Sequence, residues 1–74
     1  MSFITEVVMN NCSDVYHYLL NKIRYIERNQ TDVQEKSLIL RDMKDANNGQ
    51  QITVCSLTNP RIHELNSKLL NMIK

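Results

Sequence analysis

The chain has 74 residues, nine basic and eight acidic, for a formal net charge of +1, and 42% of the residues are apolar. That length allows one domain over 1–74, the apolar share belongs to a folded chain rather than a disordered one, and the balanced charge excludes a strong field for drawing in nucleic acid or an anionic membrane surface. The longest uninterrupted apolar runs are three residues, far short of the roughly 20 that a membrane-spanning helix needs.

Ile4, Val8, Cys12, Val15, Leu19, Ile23 and Ile26 follow one another at steps of four, four, three, four, four and three. That is the repeat of an α-helix and not of a strand. Glu6, Asn10, His17, Asn21, Arg24 and Arg28 fall on the opposite side. The spacing predicts a long helix over 3–28, closed by Arg28-Asn29-Gln30. Thr31-Asp32-Val33-Gln34 then matches a capping box, in which a side chain and a backbone amide satisfy each other reciprocally. It opens a second helix over 32–46. Val33, Ile39, Leu40 and Met43 form its broad apolar face, with the Lys36 stem lying inside that face. Leu38 projects to the polar side shared by Gln34, Asp42 and Asp45.

Ala46-Asn47-Asn48-Gly49 reads as a helix exit, because Asn and Gly enter the left-handed conformation at low cost. The next stretch, 50–57, is rich in β-formers and alternates weakly. It reads as an extended connector lying across the helices. The alternative is α+β in the order β-α-α-β-α, with 52–57 pairing with 3–8 and Asn10-Asn11 breaking the chain before a shorter first helix. Asn59 is a strong N-cap and Pro60 suits the first helical position, so a third helix runs over 60–73. Ile62, Leu65, Leu69, Met72 and Ile73 share its inner face, while Glu64 and Lys68 stand four apart in the favourable order for an ion pair. The fold class is therefore mostly α, a long helix with two shorter ones packed back against it. The expected core is Ile4, Val8, Val15, Leu19, Ile23, Ile26, Val33, Leu40, Met43, Ile62, Leu65, Leu69 and Ile73.

Few residues suggest chemistry. Cys12, His17, Cys55 and His63 have the count of a zinc set but not its spacing, since structural zinc pairs like with like at short intervals. Cys12 lies on the apolar stripe and His17 on the polar back, so one helix cannot aim both at one ion. No metal, no catalytic residue and no cofactor is assigned. A single Gly excludes the glycine-rich phosphate loops. The start Met-Ser-Phe-Ile-Thr-Glu lacks a basic leader and a long apolar core. The expectation is accordingly a cytoplasmic protein, not an enzyme, with both thiols free and acting as small hydrophobes. Abundant Asn and Ile are what an AT-rich gene encodes, as in a phage, a virus or a bacterial accessory island.

The remaining signal is association. Leu19-Leu20, Leu38-Ile39-Leu40, Leu69-Leu70 and Met72-Ile73 place apolar groups in more than one direction on short helices. One small interior cannot cover them all, and surplus apolar surface marks an interface. The expected function is a protein–protein interaction module, a small regulator or adaptor acting as a homo-oligomer or on another protein. Leu20, Leu38, Leu70 and Met72 would be at its contact surface, with Tyr16 as an anchor. The alternative is a nucleic-acid-binding regulator using Lys22, Arg24 and Arg28. Against it, Asp32, Glu35, Asp42 and Asp45 interleave with the basic residues of the first two helices, and phosphate binding needs an uncompensated basic face.

Overall fold

The structure, a computed structural model, describes residues 9–74. Among these residues there are four helices and no strand: α1 Cys12–Asn29, α2 Val33–Lys44, α3 Ala46–Thr58 and α4 Pro60–Ile73. The mostly-α class holds, but the division of the chain differs from the reading above. Ile4, Val8 and the possible strand over 3–8 lie outside the described residues.

Each helix start has a local chemical cause. Asn11 caps α1 by accepting a hydrogen bond from the Asp14 amide at 2.9 Å, and the Asp14 carboxylate accepts from the Asn10 amide at 3.0 Å. Met9 and Asn10 are not helical, so α1 begins at Cys12 and does not run through these two residues as the stripe suggested. It ends where Gln30 turns left-handed, at φ 46° and ψ 54°. The second helix is capped by Asp32 rather than Thr31: Asp32 Oδ1 accepts from the Glu35 amide at 2.9 Å. The capping frame thus shifts by one residue, which leaves Thr31 buried with no hydrogen-bond partner for its hydroxyl. It also puts Val33 in the first turn, 80% exposed and outside the core.

The segment over 50–57 is the largest correction. It is helical, as part of α3, and neither extended nor a strand. Asp45 ends α2 and begins α3 in one residue, donating its amide to Asp42 O and accepting from the Asn47 amide. Asn48 Nδ2 reaches back to Asp42 O at 3.0 Å. The Asn-rich stretch starts a helix here because its short polar side chains serve N-terminal amides as readily as they serve a turn. Gly49 sits inside α3 with no positive φ. A Cβ there would lie 3.4 Å from Met43 O, an ordinary contact distance, so the α2–α3 junction does not depend on the missing side chain. Burial of Ile52 and Cys55, three residues apart, then outweighs the β-propensity of the sequence.

A single residue, Asn59, joins α3 to α4. Its amide bonds to Cys55 O at 2.9 Å, and its side chain accepts from the Arg61 and Ile62 amides at 3.0 and 3.4 Å. With Pro60 following, this start is the one expected, and α4 covers the expected span.

Helix α4 packs against the other three helices. The core comprises Met9, Val15, Tyr18, Leu19, Ile23, Ile26, Ile39, Met43, Ile52, Cys55, Ile62, Leu69 and Ile73. Leu40 and Leu65, expected inside, are half-buried at its margin, and Tyr18 and Ile39 take interior places instead. Cys12 and Cys55 are not free thiols: they form a disulfide across 43 residues of chain, tying the start of α1 to the last turn of α3. Lys68 lies 3.6 Å from Glu27 on α1, a contact between helices in place of the pairing with Glu64.

Candidate functional site

Side-chain contacts fix how the helices run. Tyr18 donates its hydroxyl to the Asp42 carboxylate, and Tyr25 donates to Glu35 at 2.6 Å. A later residue on α1 meets an earlier one on α2, so these two helices are antiparallel. Arg61 stacks over the Tyr16 ring at 5.6 Å, while Lys68 meets Glu27 further along both helices, so α1 and α4 run in the same direction.

The five residues expected at a contact surface are distributed over different faces. Tyr16 and Arg61 stand between two adjoining grooves, one bordered by Cys12 and Asn59 and the other by Leu65 and Lys68. Leu20 is half-buried one turn further along α1, and Met72 is half-buried near the end of α4. Leu38 is 37% exposed and lines a separate groove with Arg41, Asp42 and Asp45. Leu70 lines a third groove, between α2, α3 and α4, with Leu40, Gly49, Gln50 and Thr53.

Sequence reasoning missed a pair of exposed apolar side chains on α3. Leu57 is 81% exposed and Val54 is 54% exposed. They stand one turn apart on α3, next to Thr53 and Gln50, which are also exposed. Reading this stretch as a connector hid their shared face. The available signal was the absence of any charged residue from Ala46 to Thr58.

The three basic residues of the alternative reading also separate. Arg24 and Arg28 are exposed and line one groove with Asn21, Tyr25 and Asn29. Lys22 is only 6% exposed, with its ammonium 5.0 Å above the Tyr18 ring. Burial pulls its pKa down, against the opposing pull of the Asp42 carboxylate. Burial pushes the Tyr18 pKa up, and the hydrogen bond to Asp42 and its charge act in the same direction. At Tyr25 the hydrogen bond to Glu35 is the leading cause of an upward shift. Among the described residues no group of three or more His, Cys, Asp or Glu is placed to hold a metal ion. No helix among them is long and apolar enough to cross a membrane.

The described residues thus form an all-α arrangement of four helices with an internal disulfide. Comparison with known protein families, curated proteins and solved structures finds no match.

Proposed function

We propose that this chain is a non-enzymatic protein–protein interaction module, a small regulator or adaptor that works by covering its exposed apolar groups with another chain. The observation that carries this reading is the pairing of Val54 and Leu57 on one outward face of α3. The core is already filled by other residues, and grouped apolar exposure is characteristic of contact surfaces, whereas single exposed leucines are common. Leu38, Leu70 and the Tyr16–Arg61 stack are further points of contact in this reading.

Tagged protein recovered from its source cells tests it. The expected result is a stoichiometric complex heavier than one chain that is lost with Leu38→Asp or Leu57→Glu, while both variants keep the helical circular-dichroism spectrum. Recovery of the wild type as a lone chain, both in extract and when purified and concentrated, would refute the reading.

The nucleic-acid alternative rests on the groove holding Arg24 and Arg28. It predicts strong retention on heparin that falls with Arg24→Ala and Arg28→Ala. The interaction-module reading predicts weak retention for a chain of net charge +1. For location, the bonded pair Cys12–Cys55 supports an oxidising compartment over the cytoplasm expected from free thiols, because a reducing cytosol keeps cysteines as thiols. Trapping thiols at the moment of cell lysis decides: two labelled cysteines would place the protein in the cytoplasm, and none would place it in an oxidising compartment.

A further inference from the structure

The geometry points to a second copy of this chain as the occupant of the α3 face, with the two α3 helices packed antiparallel. This inference rests on the reading of the protein as an interaction module and names its partner.

Between Ala46 and Thr58 there is no charged residue, yet Ala46, Asn47, Gln50, Thr53, Val54 and Leu57 are exposed. A surface helix ordinarily carries charge on its outer face. A charged stripe brought against its own copy sets like charges together, which is costly, whereas an uncharged stripe can oppose itself.

The stripe is also tapered. Its first half exposes Ala46, Asn47 and Gln50 beside the half-buried Gly49, and its second half carries the apolar bulk of Val54 and Leu57. In an antiparallel pair whose two-fold axis passes near Ile52, Leu57 of one copy falls opposite residues 46–47 of the other. Val54 falls opposite residues 49–50. A groove of about 410 Å³ opens at that place, bordered by Ala46, Gly49, Gln50 and Thr53 with Leu40 and Leu70 behind them. The protruding half thus meets the recessed half, and two-fold symmetry makes the contact twice.

The helix ends match in the same arrangement. No basic residue stands in the last turn of α3, so its carbonyl end lacks a cation of its own. Lys44 is exposed on the rim of the groove, just before α3 begins. Antiparallel pairing brings Lys44 of each copy to the carbonyl end of the other's α3, where a cation is favoured. Asp45 beside it keeps its negative charge and accepts from its own Asn47 amide, so the match at this end rests on Lys44 reaching further than Asp45.

Sedimentation equilibrium of the disulfide-bonded chain over a range of micromolar concentrations tests the pairing, together with a photo-cross-linking residue in place of Leu57. The expected mass is that of two chains, with cross-links from position 57 to residues 46–53 of the second copy. Leu57→Glu and Thr53→Arg, both at exposed positions, are expected to weaken the dimer at least about tenfold without changing the helical spectrum. A dimer untouched by both substitutions would overturn the choice of face. A wild type that stays at one-chain mass would overturn the second copy as occupant. The broader reading fails on a different measurement, when the wild type is recovered as a lone chain from cell extract as well.

Discussion

The hydroxyl of Tyr18 on α1 is bonded to the carboxylate of Asp42 on α2, and the same pairing recurs seven residues away, where Tyr25 meets Glu35. Seven residues are two helical turns, so both contacts lie along one line down the antiparallel pair. The backbones of α1 and α2 make no extended contact of their own, since α4 packs against both. A tyrosine and a carboxylate together are long enough to bridge that wider separation. The two bonds therefore pin the register of α1 against α2, alongside the burial of Ile39 and Met43 in the common core.

Removing the acceptor should be costlier than changing it. Asp42→Ala leaves the buried Tyr18 hydroxyl without this partner, and we expect a loss of about 1–3 kcal/mol. Asp42→Asn keeps an acceptor and should lose less. Urea unfolding at neutral pH measures both; equal losses would mean that the hydroxyl is already satisfied elsewhere.

The same bond predicts the alkaline limit. Burial first, and then Asp42, raise the Tyr18 pKa above the ordinary 10.0. The folded protein therefore holds this proton more tightly than the unfolded chain. Its contribution is fully present below pH 10 and is lost as the pH rises above that value. Lys22, lowered from 10.5 by burial, acts in the opposite sense, because its cost to the fold shrinks as pH rises toward that value. Wild type should lose stability more steeply than Tyr18→Phe between neutral pH and about pH 11. Parallel pH profiles from urea unfolding would contradict this assignment.

The disulfide closes 43 residues of chain. On the chain-entropy account a loop of that length is worth about 4 kcal/mol. Reduction, or Cys12→Ser with Cys55→Ser, should lower the denaturant midpoint and steepen the transition, because the unlinked unfolded chain is less compact and exposes more surface. An unaltered midpoint would show that the bond does not hold the ends of α1 and α3 together.

Asn59 serves two helices at once, closing α3 with its amide and opening α4 with its side chain. Asn59→Ala keeps the amide and removes the cap. We expect a cost of about 1 kcal/mol, and Asn59→Asp should retain most of the stability. Thermal unfolding followed by circular dichroism checks both.

The sequence by itself determined what depends on near neighbours. The stripe of Val15, Leu19, Ile23 and Ile26 is buried as its spacing required, and Asn59 with Pro60 opens α4 at the expected place. Periodicity and capping are local, so they can be read along the chain. Only the tertiary structure decided the state of Ala46–Thr58, which has weak helix propensity and becomes helical where Ile52 and Cys55 have a core to enter. It also decided that Lys22, expected on a nucleic-acid-binding face in the alternative reading, lies inside together with Tyr18, and that Val33 lies outside. The joining of Cys12 to Cys55 belongs with these. Burial and cross-links depend on which distant segments arrive at a given helix face, and a pattern read along one segment does not contain that information.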